Sequence, residues 1–342
     1  MNCDEILLNH CCNLAWQTQS LALPNPSVGA MVVDKNGNIL GQGVHKIAGS
    51  PHAEVLALQE AYYTLSRDER ILALKKSDDI HAFLLQNHNQ MFKECALYVS
   101  LEPCNHKGKT PPCAHLLAQL GFAKVCIAAL DNHALAAGGR EYLISHGINA
   151  IFVQSPALQE AAHNLLLPFE TLRQKGRFVL FKLAHRLDGS YTQGRISSQI
   201  SQIFTHNQRS VCDWLCISGK TLNTDNPKLN ARYALPPYDK THLPQIGIIS
   251  RHVDSISEHL ASRARIIKDI EAFRALGGFI IVEGGFNLLS MLKDEIDMLL
   301  IHAAFWCDGA HNNAHFIPHN LKAHFKLIHT MPLGEDLAIW LR

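Results

Sequence analysis

Four side chains of this sequence have the types and spacing of a hydrolytic metal centre: His52, Glu54, Cys104 and Cys113. A catalytic zinc ion takes three protein ligands and leaves its fourth position to water. His52, Cys104 and Cys113 supply three such donors. Glu54, two residues beyond His52, is a carboxylate not needed as a ligand and available to carry protons. Together such groups direct an activated water at an amidine carbon and expel ammonia. An ordinary helix start at His52-Ala53-Glu54 and two buried thiols would leave the order of the four partners, each beside a proline or at a helix start, unexplained. A purely structural ion would require a fourth protein ligand and leave Glu54 idle.

The elements around these residues can be read from pattern. Asp4 to about Ser20 reads as an amphipathic helix. Strands over 30–34 and 39–45 flank the hairpin signal Asn36-Gly37. A helix over 52–65 enters through Pro51, and the polar stretch 66–94 reads as a helical surface insertion. A strand over 96–100 leads to Cys104, and a helix over 111–120 has proline in its first turn. Strands follow over 124–129 and 149–153. Alternating strands and crossover helices imply a three-layer α/β/α arrangement. Helix dipoles at His52 and Cys113 favour the thiolate form that zinc requires.

Eight residues separate Cys104 from Cys113, and among them stand His106, Lys109 and Thr110. Charge, hydroxyl and a glycine beside the metal suit a phosphate, although a solvated basic loop has the same composition. Gly41, Gly43 and His45 at a strand end, with Asn25 in a Pro-Asn-Pro turn, are candidates for the same cleft. For Asn25 a turn-stabilising role is equally compatible.

Length and composition bound the rest. The 342 residues are about twice a usual domain, and 47% are apolar against 18% charged, as in a globular protein with sizeable cores. A net charge of +1 offers no general attraction to nucleic acid. The first segment carries acids early and is not read as a secretory signal, and no apolar run has the length of a membrane span. Ten cysteines without a regular framework predict a reducing, cytoplasmic setting. The partner expected is a small phosphorylated molecule, with no nucleic acid, no membrane and a homo-oligomeric assembly.

The second half is read as a helix over 156–175 and strands over 177–184, 214–217, 246–249, 279–282 and 298–303. Gly284-Gly285 ends one strand and opens a helix over 286–293. Such a turn is a natural anion site, or simply a tight turn. The domains are set at 1–150 and 151–342.

With these residues assembled, the chain resembles the bifunctional deaminase/reductases of riboflavin biosynthesis. The carriers are PNPSVG from Pro24, GQGVHKIAGSPHAEVLAL from Gly41 and YVSLEPCNHKGKTPPC from Tyr98. The resemblance implies a cytidine-deaminase-like first domain and a dihydrofolate-reductase-like α/β second domain. It implies Zn2+ held by His52, Cys104 and Cys113, with Glu54 as proton shuttle. Asn25, His45, His106, Lys109 and Thr110 would contact a diaminopyrimidine bearing a phosphoribosylamino group. In the second half it implies NADPH beside Asp188, Gly189, Thr205, Gly219, Thr221, Gly284 and Gly285. Lys182, Asp225, Arg232 and Glu283 would line the substrate site. Each of these has a plainer reading as a strand-edge cation, turn cap or surface charge.

Several positions depart from that family. The 66–94 insertion is long, and Asp131-Asn-His-Ala134 replaces the family's proline-containing loop. Arg186 stands where the family has serine, Ala304-Phe-Trp-Cys307 ends a strand differently, and an Arg-bearing helix expected after Thr205 is absent from the reading. These departures keep two alternatives open: a deaminase joined to an inactive reductase-like domain, and a nucleic-acid base deaminase.

Overall fold

A computed structural model describes residues 2–106, 108, 110–132, 137–191, 194–253, 255–307 and 321–342. The chain divides into two compact units, Met1–Leu167 and Pro168–Arg342. The division falls inside a helix rather than at residue 150. Pro168 lacks an N–H and interrupts the helical ladder at that point.

The first unit runs α1 (Cys3–Ala15), β1 (Gly29–Val33), β2 (Ile39–Val44), α2 (Ala53–Ser66), α3 (Ser77–Asn87), β3 (Ala96–Val99), α4 (Cys113–Leu120), β4 (Lys124–Ile127), α5 (Gly139–Ser145) and β5 (Asn149–Phe152), and enters α6 (Pro156–Lys175). Its sheet has the order β2-β1-β3-β4-β5, with β2 and β3 antiparallel to β1 and the remaining pairs parallel. Strand β1 is buried at every residue, so both faces are covered. Gly29 faces α1: a Cβ there would lie 2.2 Å from Cys11 O. Ala30 and Val32 face the other way, into a core shared with Ala53, Ala57 and Ala61 of α2. This is the expected three-layer arrangement.

Gly41 and Gly43 bring α2 onto β2. Their Cβ atoms would lie 2.4 Å from Ala57 O and 2.3 Å from Ala53 O, so the helix backbone rests directly on the strand. These two glycines therefore face α2. The 66–94 segment is also more than a surface addition: Ile71, Ile80, Leu84 and Phe92 enter the core. The prolines before Cys113 precede α4 instead of opening it, because Pro112 is extended (φ −68°, ψ 131°) as its N-cap.

The second unit continues from α6 through β6 (Arg177–Arg186), α7 (Gln199–Arg209), β7 (Trp214–Ser218), α8 (Gly219–Asp225), β8 (Gln245–Ile249), α9 (Glu258–Ala261), β9 (Ala264–Ile267), α10 (Ile270–Arg274), β10 (Gly278–Glu283), α11 (Phe286–Leu292), β11 (Met298–Ala304), β12 (Leu327–Leu333) and β13 (Asp336–Leu341). The sheet order is β12-β13-β11-β6-β10-β7-β8-β9, parallel except for the terminal hairpin and its pairing to β11. This is the dihydrofolate-reductase-like α/β arrangement expected.

The helix thought missing is present. Helix α7 contains Thr205 and ends at Arg209, and Ser198 caps it by accepting from Ser201 N. Its buried face holds Ser201, Thr205, His206 and Gln208 beside Phe204, so no apolar stripe announces it. Strand β9 and the hairpin β12–β13 were likewise not foreseen.

Candidate functional site

The first unit brings His52, Cys104 and Cys113 together, with their ligand atoms all within 4.8 Å of one another. His52 is the N-cap of α2 and makes no side-chain cap bond, which leaves its ring available. Cys104 follows β3, and Cys113 is the first residue of α4. His52 Nδ1 lies 3.6 Å from Cys104 Sγ and 3.4 Å from Cys113 Sγ. Zinc bonds of ~2.0 Å to nitrogen and ~2.3 Å to sulfur at tetrahedral angles place such donors about 3.5 Å apart. The three residues fit zinc.

The surroundings prepare the ligands. The Cys113 thiol and His52 beside it draw the Cys104 thiol down to about 4, toward the thiolate, and Cys113 N donates to the same sulfur at 3.4 Å. Thr110 Oγ1 sits 3.2 Å from His52 Nε2. Expected at a substrate phosphate, Thr110 instead accepts from the ring nitrogen that the metal-facing Nδ1 leaves protonated. Glu102, a residue the sequence did not single out, accepts from Asp131 N and Arg140 N at 3.0 and 2.8 Å. It ties the loop after β4 and the start of α5 to the Cys104 loop. Gly139 closes that contact, since a Cβ there would lie 1.8 Å from Pro103 O.

Glu54 is 4% exposed, and burial pushes its carboxyl up to about 6. His45 is buried, and burial holds its ring neutral, down to about 4. Its Nδ1 donates to Pro51 O at 3.2 Å, so Nε2 accepts from Asn25 Nδ2 at 3.1 Å. The rings of His45 and His52 meet edge-on at 5.3 Å, which places Asn25 and His45 beside the triad. His106 is exposed, close to Gly108. Lys109 lies outside the described residues, as do His133 and Ala134 of the loop that departs from the family.

The second unit gathers a different set. Lys182 on β6 is in register with Glu283 on β10. Arg209, unforeseen, binds Glu283 through both nitrogens, Nε at 2.7 Å and Nη2 at 2.5 Å, and reaches Asn230 O with Nη1 at 3.3 Å. Burial alone would raise the Glu283 carboxyl, but the Arg209 guanidinium holds it at about 2. Burial lowers the Lys182 ammonium from its usual value. Arg232 is bonded to Asn230 Oδ1 at 3.0 Å and stacks over Tyr233. Asp225 is exposed at the end of α8.

The residues expected at the cofactor divide. Gly189, at φ +77°, and Asp188, which accepts from Ser190 N at 3.0 Å, shape the turn after β6. Ser218 caps α8 at Thr221 N, and Gly219 makes room for Ser250. Thr205 is not at the turn end: its hydroxyl is buried and donates to Ser201 O of its own helix at 3.0 Å. Gly285 lies under the Tyr191 ring, where a Cβ would come within 2.1 Å. Such closeness needs glycine at position 285, and the turn opens α11 with backbone N–H groups of the kind that suit a dinucleotide phosphate. Arg186, which stands where the family has serine, is 1% exposed. It donates to Ser190 Oγ at 3.0 Å and stacks 4.3 Å from the Trp306 ring, and Trp306 in turn donates to Ile196 O.

Comparison with known proteins agrees with this geometry. Residues 1–129 match the cytidine and deoxycytidylate deaminase zinc-binding region. The riboflavin biosynthesis protein RibD of Corynebacterium ammoniagenes is 27% identical over 318 residues, 88% of this chain and 85% of that one. The RibD of Synechocystis is 33% identical over 233 residues, 66% of this chain, and the match spans 55% of the relative's length. Among solved structures, Acinetobacter baumannii RibD superposes with a TM-score of 0.60 at 24% identity, covering 99% of this chain and 98% of that one. The Thermotoga maritima diaminohydroxyphosphoribosylaminopyrimidine deaminase/5-amino-6-(5-phosphoribosylamino)uracil reductase does so at 0.63 and 22%, with the same coverage. With a zinc-type triad in the first unit and both units covered by relatives of one kind, the chain is similar along most of its length to the RibD riboflavin biosynthesis proteins.

Proposed function

We propose that the chain performs two successive reactions. The first is hydrolytic deamination of 2,5-diamino-6-(5-phosphoribosylamino)pyrimidin-4-one in the first unit. The second is NADPH-dependent reduction of the ribose to a ribityl chain in the second. One observation carries the reading: three metal-type donors converge beside a buried carboxylate, two residues from one of them, that is not needed as a ligand.

Zinc, when bound, supplies Lewis acidity that makes water a nucleophile near neutral pH. Glu54 takes a proton from the attacking water, passes it to the ring nitrogen, and assists departure of the amino group as ammonia. A carboxyl pushed up to about 6 suits a group that must both accept and release a proton near neutrality. His45, fixed by Pro51, orients Asn25, whose remaining amide donor and carbonyl suit a pyrimidine edge.

In the second unit, Lys182, Arg209 and Glu283 carry a net charge of +1 between them, which suits a phosphorylated sugar. Lys182 and Glu283 act as substrate-facing groups, with Arg209 fixing Glu283; Asp225 and Arg232 complete the site on substrate binding. The Gly284-Gly285 turn receives NADPH. Both grounds for an inactive second domain weaken, because α7 is present and Arg186 is engaged with Trp306. A cytoplasmic homo-oligomer without nucleic-acid or membrane partners is the remaining part of the reading. Its supports are the net charge, the free cysteines and the absence, among described residues, of a helix long and apolar enough to cross a membrane.

Glu54→Gln tests the first reaction. It should retain one zinc per chain and lose ammonia release by at least about 100-fold, the usual scale of a general acid–base group. Normal turnover in that variant would overturn the mechanism.

A further inference from the structure

The segment 226–244 between α8 and β8 contains no helix or strand, yet three side chains of α7 hold it in place. Asn207 Oδ1 accepts from Leu235 N at 3.0 Å, Arg209 Nη1 donates to Asn230 O at 3.3 Å, and the His206 ring meets Tyr233 edge-on at 4.8 Å. Leu229 is buried in this path at φ +45°, a conformation that leucine adopts only under constraint.

Two cations meet at Asn230. Its main-chain carbonyl takes the Arg209 guanidinium, whose other nitrogens are spent on Glu283. Its side-chain Oδ1 takes Arg232 Nη1 at 3.0 Å and Arg232 N at 3.4 Å. The Arg232 guanidinium also lies over the Tyr233 ring, 4.7 Å from its centroid. Arg232 is exposed, and an exposed arginine ordinarily keeps its rotamer freedom. Here an amide oxygen and a ring fix the head group without neutralising its charge. A turn former whose Oδ1 bonds the N–H two residues on would explain the bond to Arg232 N but not the one to its guanidinium.

We propose that Asn230 is a positioning residue of the second site, whose amide oxygen sets the Arg232 guanidinium in place for the phosphate of the sugar substrate. The proposal rests on reading Arg232 as a substrate-facing group. A guanidinium fixed in advance need not be ordered when the anion arrives, so that cost falls outside the binding step.

The test uses the full chain. Asn230→Ser keeps a hydroxyl acceptor for the turn but is too short to reach the guanidinium. It should melt as wild type does and weaken ribose 5-phosphate about 5-fold in calorimetry without cofactor, the scale of ordering one long side chain. KM for the deaminated substrate should rise by the same factor, with kcat unchanged. Arg232→Ala should weaken both by more, and Asn230→Ser added to it should change nothing further. Wild-type affinity in Asn230→Ser would overturn the proposal, as would effects of the two substitutions that multiply. If Asn230→Ser does not fold, Asn230→Asp keeps the turn and the bond but neutralises the guanidinium; it should weaken ribose 5-phosphate, and unchanged affinity would overturn the proposal. Unchanged affinity in Arg232→Ala would bring down the reading of Arg232 itself, and the proposal with it.

Discussion

Gly43→Ala should damage catalysis without touching a single reacting group. The added Cβ would lie 2.3 Å from Ala53 O and 2.6 Å from Ala57 N, both backbone atoms of α2. Real Cβ contacts do not fall below 3.0 Å, so the start of α2 must retreat by about 0.7 Å. His52 and Glu54 sit at that end. Overpacking of this kind costs roughly 1–3 kcal/mol, which for a unit of this size is a fall in Tm of about 2–12 °C. A displacement approaching 1 Å at a catalytic group costs about 100-fold in rate. The assay is ammonia release with zinc content measured in parallel. Gly37→Ala serves as control: at φ +87° it is strained, but nothing lies within 4 Å, so it should cost about 1 kcal/mol and leave kcat unchanged. Wild-type kcat/KM in Gly43→Ala would refute the claim that the strand glycines set the position of the catalytic helix.

Two further outcomes concern the second unit. Arg209→Met strands the buried Glu283 carboxylate and should destabilise that unit by about 3–5 kcal/mol; adding Glu283→Leu should restore melting temperature but not reduction, and calorimetry with an NADPH assay checks both. His302 is fully buried between β6 and β13, and burial holds its ring far below the ordinary value of 6.5. Its folded-state value is lower than its unfolded one, so its contribution is complete above about pH 6.5 and declines as pH falls, by about 1.4 kcal/mol per pH unit. His302→Leu should flatten the melting temperature between pH 7 and 5 relative to wild type, and parallel curves would contradict it.

What the sequence disclosed and what it hid follow from where the information lies. The triad and Glu54 were legible because metal ligation demands particular atoms, and those residue types at helix starts and beside prolines have few other uses. Helix α2 and the long strands were legible because their buried faces are apolar. Helix α7 escaped because its buried face is polar: Ser201, Thr205, His206 and Gln208 break the stripe that periodicity seeks. With it went Arg209, whose partner Glu283 lies 74 residues away. Thr110 was assigned to a phosphate by composition, and its contact with His52 is one that only the third dimension reveals. Gly41 and Gly43 read as candidates for the cleft, but a glycine does not name what approaches it, and here it is α2.

The central claim is that one chain carries both working sites. It is tested by supplying the diaminopyrimidine phosphoribosyl substrate with NADPH to the zinc-loaded protein and following ammonia and NADPH separately. The account predicts ammonia release first, then NADPH oxidation that depends on it. Ammonia without NADPH oxidation would contradict the second site, and neither signal from a chain holding zinc would contradict the account as a whole.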